Sequence, residues 1–481
     1  MENLINTKIY LLLWILCLLA IGSFFLTINL PLIGEEGVYT NAALEMIFAK
    51  QYKFATLYGT IYPRPPMYNW LIILCSNIFG VKNIVLSARM VAISATASMA
   101  ITVFYTTKHL FGFHLNHHNQ HIPSHKSADK KILILALLST AIFLSGDVLF
   151  KRGWLAYSDP IFAMFVFDGM VLLLLGTINN NLWLIVLANI CIFLGFLCKV
   201  HTAYIFYAIT LLVLLCSRYN KYLLQPKIMF LHILFIIPLI LWNYNYQESD
   251  CFFTIFNHIK KLTGISHNDE GNLLRNVISF PIQTVVALLP GSLITIFAAK
   301  KLFDNKYNMD YIIKILLLIT ILNFIPYWIA SQTNIRYLLP IYPCFAIIIT
   351  YIIWQANYIK QTIVLLFIGV LIKYFVAILW FPYQYSVKHG NATLVAEDIL
   401  LHTNQDPLYI HAFSATGLRI AGAINKMNWP GKPLQEKIPT TGSYFMIQEN
   451  KLTDLQVNLK NVVFIKSYIL NKDHIFLYWY N

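Results

Sequence analysis

Stretches of about 18 or more predominantly apolar residues recur along this chain, and each is long enough to cross a bilayer. The first runs from Ile9 to Leu30. It is too long for a signal peptide and lacks a small-residue cleavage site, so we interpret it as a retained span. Only 12% of the 481 residues are charged, against roughly a quarter in soluble domains. The sequence therefore predicts an α-helical polytopic membrane protein.

Run length predicts about eleven transmembrane helices. They lie near residues 9–30, 84–106, 132–149, 160–177, 182–198, 203–216, 228–243, 277–299, 311–330, 337–354 and 361–381. The net charge is +14, and the basic residues concentrate in alternate connections, as the positive-inside bias requires when the N-terminus is cytoplasmic. The odd number of spans then places the C-terminal region outside. This placement of charge, without a recognisable nucleic-acid-binding module, argues against a nucleic-acid partner.

Three connections between these spans are long. We expect residues 31–83 to form a first external loop, residues 107–131 a His-rich cytoplasmic loop, and residues 244–276 a second external loop. The histidines can be interpreted as metal ligands, but Pro123 interrupts their helical spacing and Asn- and Ser-rich flanks favour a solvated loop. Residues 1–381 are therefore predicted to form one transmembrane domain.

The first external loop contains a helical pattern. Tyr39, Ala42, Met46 and Ala49 follow helical spacing, which predicts an amphipathic helix lying at the membrane interface.

Residues 382–481 are more polar than the rest of the chain and predict a small external α/β domain of about 100 residues, a normal domain size. Its short β-like runs are Leu408–His411, Tyr444–Ile447, Val462–Ile465 and Ile475–Trp479.

An acidic pair, Glu35-Glu36, follows the first span and precedes the predicted helix. Carboxylates at a helix N-terminus are stabilised by exposed amides and the helix dipole. Such an acid stays ionised, as a general base must be. Ordinary helix capping is the alternative interpretation.

A basic residue, Arg64, lies in a proline-rich turn just after Tyr62. The prolines fix φ and stiffen the chain ahead of a helix start. A guanidinium presented from a rigid turn can make paired hydrogen bonds to a phosphate. Contact with lipid headgroups is the alternative.

Asp159 stands at the mouth of the fourth span, seven residues after Arg152. A carboxylate at membrane depth is a functional hypothesis by default. The alternative is an N-terminal cap, since Ser158-Asp159-Pro160 is a favourable capping sequence.

Two further cations, Lys199 and Arg336, fall on the predicted external side, where positive charge is disfavoured. A bound phosphate would explain both, and snorkelling is the alternative. Lys373, inside the eleventh span, is interpreted as a snorkelling residue.

Taken in order, these landmarks resemble the GT-C class of glycosyltransferases, specifically the protein O-mannosyltransferase and lipid A aminoarabinose transferase superfamily. Each motif is weak, but the ordered set is specific and covers residues 30–345. The matching positions are Glu35-Glu36 with Tyr39, Arg64-Pro65-Pro66-Met67 with Trp70, Ala88-Arg89, Arg152 with Asp159, Gly195-Phe196 with Lys199, and Arg336-Tyr337 with Pro340 and Pro343.

This chain departs from the family at three positions. The first acid is usually Asp and here is Glu35, the cation before the proline pair is commonly Lys and here is Arg64, and aminoarabinose transferases often have Glu where this chain has Pro63. The first departure leaves open which acid of the pair contacts the acceptor. The last argues against a strict aminoarabinose assignment.

The resemblance implies a polyprenyl-phosphate-linked sugar as donor, direct displacement with inversion, and an envelope acceptor that is lipid A, a glycan or a protein hydroxyl. It implies membrane lipids as partners and the bacterial inner membrane as location, with the active site external. It requires no cofactor; a divalent metal is possible but not expected. The implied roles are acceptor base or orienting acid for Glu35, supporting acids for Glu36 and Asp159, donor-phosphate binding for Arg64, Lys199 and Arg336, and substrate positioning for Tyr39, Tyr62, Arg152 and Tyr337.

Two other classes remain open on the sequence. A transporter or lipid flippase would share the many spans and the intramembrane charges. It would not predict a long acidic first loop with a stiff Arg-Pro-Pro turn, nor a polar C-terminal domain. The other alternative is an inactive relative with the same fold, an interpretation that the Asp-to-Glu change at Glu35 keeps open.

Overall fold

The computed structural model describes residues 2–62, 64–118, 125–199, 201–245, 270–304, 309–330, 334–404, 406–448, 459–471 and 473–481. Its residues group into two compact units. The first unit comprises Met1–Phe25, Ser94–Gly153 and Asp159–Lys373, and the second comprises Leu26–Ile93, Trp154–Ser158 and Tyr374–Asn481.

Helices account for most of the described chain. In chain order they are α1 Glu2–Phe25, α2 Glu36–Ala49, α3 Met67–Phe79, α4 Ile84–His118, α5 His125–Leu144, α6 Asp147–Arg152, α7 Ser158–Ile178, α8 Leu182–Lys199, α9 Thr202–Leu215, α10 Asn220–Leu223, α11 Pro226–Leu234, α12 Ile237–Asn245, α13 Glu270–Ala287, α14 Gly291–Asp304, α15 Tyr311–Trp328, α16 Tyr342–Gln355, α17 Ile359–Phe375, α18 Ala392–Thr403 and α19 Ala415–Met427. A 3₁₀ helix, Ile335–Ile341, precedes α16.

Among the described residues, seven helices are long and apolar enough to cross a membrane, or up to eight if a bent pair counts as one span. Hydroxyls inside these helices bond back to the carbonyl four residues earlier; Thr177 Oγ1, for example, donates to the Leu173 carbonyl at 2.7 Å. Such bonds satisfy polar groups where no water is available. The chain is an integral membrane protein, as its hydropathy predicts.

The span predicted near residues 277–299 consists of two helices with a sharp bend between them. Val277–Ala287 and Gly291–Lys301 are two helices that meet at 105°. Pro290 has no N–H to continue the helix, and Gly291 lies against α5, where an added Cβ would come within 2.8 Å of Ile142. The sequence showed the apolar length but not the bend.

Two other predicted spans are helical but short. The segment near 203–216 is α9, of 14 residues, and the segment near 228–243 is divided between α11 and α12, of nine residues each. Helices α4 and α5 extend into the predicted His-rich loop, of which residues 119–124 lie outside the described ranges. Residues 246–269 of the second predicted external loop also lie outside them.

Lys373 is buried in α17, so its interpretation as a snorkelling residue is wrong. Its Nζ donates to the carbonyls of Ser145 and Gly146 at 2.5 and 3.0 Å. These carbonyls follow the end of α5, and carbonyls at a helix C-terminus lack intrahelical donors. The ammonium therefore pairs with backbone oxygens inside the first unit.

The second unit is built around α2. The predicted amphipathic helix exists, but its one-sided burial is wrong, since every residue from Glu36 to Met46 is buried. Helix α19 covers the face that the pattern left polar, and a Cβ on Gly37 would approach the Leu418 carbonyl to 2.2 Å. Asn41 Nδ2 donates to the same carbonyl at 3.3 Å. Gly37 and Asn41 of α2 therefore contact another helix rather than water.

All four predicted β runs are strands, β3 Leu408–His411, β4 Ser443–Gln448, β5 Val462–Leu470 and β6 Asp473–Tyr480. They form one sheet in the order β3-β4-β6-β5. The β3–β4 pair is parallel and requires a crossover, which contains α19. A separate two-stranded ribbon pairs β1 Thr56–Leu57 with β2 Thr60–Ile61.

Candidate functional site

The acidic pair lies where the chain turns into α2. Gly34 has a φ of +54°, and a Cβ there would approach the Tyr157 hydroxyl to 2.2 Å. Glycine permits both this backbone conformation and this approach. Glu35 follows as the N-cap, and Glu36 is the first helical residue. The tight turn gives the two neighbouring carboxylates different surroundings.

Glu36 forms a fully buried ion pair with Arg89, and both side chains are 0% exposed. Arg89 Nη2 donates to Oε2 at 2.6 Å and Nε to Oε1 at 2.9 Å. Each oxygen also accepts a backbone N–H, from Ile33 at 2.8 Å and from Ala156 at 2.9 Å. The carboxylate thus accepts four hydrogen bonds, about as many as its lone pairs allow.

Arg89 is equally occupied. Nη1 donates to the carbonyls of Ile28 and Leu30 at 2.8 and 2.6 Å, and Nη2 to that of Pro31 at 2.9 Å. Its guanidinium carbon also lies 5.4 Å from the centre of the Trp154 ring. With the two bonds to Glu36, all five donors of the guanidinium have partners. This ion pair holds residues 28–36 against α4, which is a structural role.

Glu35 is half-buried. Its backbone N–H donates to the Tyr157 hydroxyl at 3.0 Å, and its side chain makes no capping hydrogen bond. Glu36 also bonds outside its own helix, so neither acid has the ordinary capping role considered as the alternative. Of the two carboxylates, Glu35 is the more accessible to a substrate.

A tyrosine and an arginine extend this cluster. The Tyr39 hydroxyl lies 2.9 Å from Ser158 Oγ and accepts a hydrogen bond from Arg64 Nη1 at 3.1 Å. The Arg64 guanidinium also lies 5.8 Å from the centre of the Tyr62 ring. The structure therefore brings together three of the predicted residues, Tyr39, Tyr62 and Arg64, within the second unit.

One buried cation of the second unit was not predicted. Arg419, in α19, donates to the Gly390 carbonyl at 2.9 Å. Burial lowers the pKa of Arg419 from its ordinary value, and the negative charge of Glu36 opposes that shift. Glu36 therefore interacts electrostatically with a second arginine besides its direct partner.

A second cluster of predicted residues lies in the first unit. Asp159 is buried near the start of α7 and forms an ion pair with Lys199 at the end of α8. The Lys199 ammonium also lies over two rings, 4.6 Å from the centre of Tyr337 and 5.6 Å from that of Phe162. Lys199 therefore points at a carboxylate and aromatic faces rather than snorkelling.

Two more cations act on Asp159. Arg336 and Arg152 both interact electrostatically with its carboxylate, besides Lys199. Arg336 also lies 5.5 Å from the centre of the Tyr337 ring. Three cations therefore surround one buried carboxylate, an arrangement suited to binding an anion.

Sequence reasoning missed several partners in these clusters. Arg89 was noted only as a family landmark. No sequence pattern predicted which residues Trp154, Tyr157 and Ser158 contact. The short connection before Asp159 is rich in aromatic and hydroxyl residues, which is the one hint the sequence offers. Across the described ranges, no group of three or more His, Cys, Asp or Glu side chains is placed to hold a metal ion.

The fold is that of the GT-C class of membrane glycosyltransferases, which confirms the predicted fold class. The chain is similar to ArnT from Cupriavidus metallidurans bound to undecaprenyl phosphate, with a TM-score of 0.69 and 12% identity over 98% of both chains. It is also similar to the archaeal oligosaccharyltransferase AglB from Archaeoglobus fulgidus in complex with an inhibitory peptide and a dolichol-phosphate, with a TM-score of 0.55 and 11% identity over 94% of this chain and 70% of that one. No family model and no curated protein matches the sequence.

Proposed function

We propose that this protein is a membrane glycosyltransferase that takes its sugar from a polyprenyl-phosphate carrier. The observation that carries the proposal is the grouping of three cations, Lys199, Arg336 and Arg152, around the buried carboxylate of Asp159. The solved structures with this fold include one bound to undecaprenyl phosphate and one to a dolichol-phosphate. A lipid-linked phosphate is the anion that best fits a positive site in a membrane protein.

The chemistry follows from the leaving group. The acceptor oxygen attacks the anomeric carbon as the bond to the phosphate oxygen breaks, and the phosphate departs with the bonding electrons. Negative charge therefore develops on the phosphate, where preorganised cations in a water-poor site are worth several kcal/mol. Lys199 and Arg336 carry this role, and Asp159 holds Lys199 in position. The displacement inverts the anomeric carbon and needs no covalent enzyme intermediate.

The acceptor proton needs a base, and Glu35 is our assignment. Glu35 is half-buried as a residue, whereas the oxygens of Glu36 are occupied by Arg89 and two backbone amides. Tyr39 and Tyr62 lie in the same unit and position substrate there, and Arg64, which contacts both, is assigned to the donor phosphate. Tyr337 contributes by packing its ring against two cations of the other cluster.

We place the reaction on the external face of a bacterial inner membrane, from the alternation of basic connections. The acceptor is an envelope glycolipid, a glycan or a protein hydroxyl, and the sugar a hexose or a pentose. Comparing the envelope lipids and proteins of cells with and without this gene by mass spectrometry would identify both.

The direct test uses purified protein, a polyprenyl-phosphate sugar carrying a labelled sugar, and an acceptor extract. Arg336→Ala and Arg64→Ala should each weaken donor use, because each removes a charge-assisted contact. Arg64→Lys should retain part of the activity, since it keeps the charge and loses the paired donors. Arg218→Ala is the matched control, because the Arg218 guanidinium lies over the Tyr311 ring at a distance of 4.2 Å, outside both clusters.

The same protein reconstituted in vesicles with the labelled lipid tests the competing class of transporters and flippases. A transporter or flippase would move the labelled lipid across a vesicle membrane without transferring its sugar. Lipid movement without product, or unchanged donor affinity in both alanine variants, would contradict the proposed function.

A further inference from the structure

Helix α7 carries a second acid far from Asp159. It has 21 residues, so it is roughly 31 Å long, about the thickness of a bilayer core. Asp168 lies nine residues after Asp159, roughly 13 Å farther along the helix. Asn179 directly follows the other end of α7. The second half of this helix therefore lies away from the proposed phosphate site.

A groove of about 780 Å³ runs along that second half, lined by residues of α4, α7 and α8. This volume lies within the usual range of ligand sites. Most of its lining is apolar, and its outer wall includes Ile101 and Tyr105, which are 59% and 62% exposed. In a membrane-spanning helix, such exposed apolar side chains face lipid.

One end of the groove is polar and positive. Lys108 is exposed there and forms no ion pair with any side chain in the described ranges. The neighbouring His109 bonds Asn179 through Nε2 at 3.2 Å, while its buried Nδ1 has no hydrogen-bond partner in the described structure. A phosphate oxygen would give both groups a partner.

The other end of the groove is acidic. The Thr102 hydroxyl hydrogen-bonds the Asp168 carboxyl, whose Oδ1 is buried and has no partner within the described part of the chain. Thr102 and Lys108 are six residues apart on α4, roughly 9 Å along the axis. A negative headgroup is therefore attracted to the Lys108 end and disfavoured at the Asp168 end. This charge difference sets the orientation of a bound anionic amphiphile.

We propose that this groove binds an anionic phospholipid of the phosphatidylglycerol type. Its phosphate contacts Lys108 and His109, and one acyl chain lies along Ile101 and Tyr105. The site is separate from the proposed donor-phosphate cluster, because it lies along the opposite half of α7. It does not depend on the glycosyltransferase assignment.

The test titrates delipidated full-length protein with phosphatidylglycerol or phosphatidylcholine and counts bound lipids by native mass spectrometry. A basic residue near anionic lipid strengthens binding about fivefold, so Lys108→Ala should lower phosphatidylglycerol binding by about that factor. Lys227→Ala is the matched control, because this lysine is exposed and lies outside the groove. Leu172→Trp fills the groove without changing charge and should also reduce binding.

Asp168→Asn discriminates between ligand types. Removing the carboxylate charge should leave phosphatidylglycerol binding unchanged or stronger, whereas a ligand held by a cationic amine would be lost. Equal binding of both lipids, or equal losses in Lys108→Ala and Lys227→Ala, would overturn the proposal. Displacement of phosphatidylglycerol by an equimolar polyprenyl phosphate would reassign the groove to that carrier. Elution volume and thermal unfolding of each variant in detergent verify that it is folded.

Discussion

Replacing each glutamate of the acidic pair by glutamine should separate a structural acid from a catalytic one. In Glu36→Gln an amide nitrogen replaces one oxygen. Whichever oxygen it replaces, it meets one N–H of Arg89 and one backbone N–H, from Ile33 or Ala156. Donors then face donors, and the buried guanidinium loses its counter-charge. Removing one partner of a buried ion pair costs about 3–5 kcal/mol.

Glu35→Gln should behave in the opposite way. Glu35 is half-buried, and glutamine keeps its size and most of its hydrogen-bonding capacity, so the change in stability should be about 0.5 kcal/mol or less. If the acceptor is a hydroxyl, loss of the base should cost about a hundredfold to ten-thousandfold in rate. If the acceptor is a phosphate, which is already an anion, appreciable turnover should survive.

Two measurements on the same preparations decide between these outcomes. Denaturant or thermal unfolding in detergent gives stability, and product formation from a purified polyprenyl-phosphate sugar, normalised to folded protein, gives the rate. We expect Glu36→Gln to be unstable but active per folded molecule, and Glu35→Gln to be stable but impaired. A stable, inactive Glu36→Gln beside a fully active Glu35→Gln would refute the assignment. Full activity in the double variant would remove the acidic pair from the mechanism.

Three further outcomes are expected. Gly37→Ala should destabilise the protein by about 1–3 kcal/mol in an unfolding assay, because its Cβ would approach the Leu418 carbonyl to 2.2 Å. Gly112→Ala is the control and should be tolerated, because the nearest contact of its Cβ would be at 3.8 Å. Lys373→Met should lower the melting temperature by leaving two buried carbonyls without a donor; an unchanged melting temperature would contradict this. A reporter fused after Asn481 should be active only on the external side, and cytoplasmic activity would overturn the predicted topology.

The sequence alone determined the class of fold. Apolar runs of bilayer length predict spanning helices, because a helix makes all its backbone hydrogen bonds within one segment and lipid offers no other partners. The β-like runs of the C-terminal region became strands for an equally local reason, since the side-chain period of two is a property of the strand itself. The order of the charged landmarks was enough to predict the GT-C fold, which the comparison with solved structures confirms.

Only the tertiary structure decided what individual charges do. Glu36 and Arg89 are 53 residues apart, and no local pattern distinguishes Glu36 from its neighbour Glu35. Similarly, the helical pattern of α2 indicates one buried face, yet α19, nearly 400 residues later, covers the other. The bend at Pro290 and the burial of Lys373 also depend on which helix packs alongside. Periodicity reports the conformation of a segment, whereas the role of a charge is set by partners that only folding brings within hydrogen-bond distance.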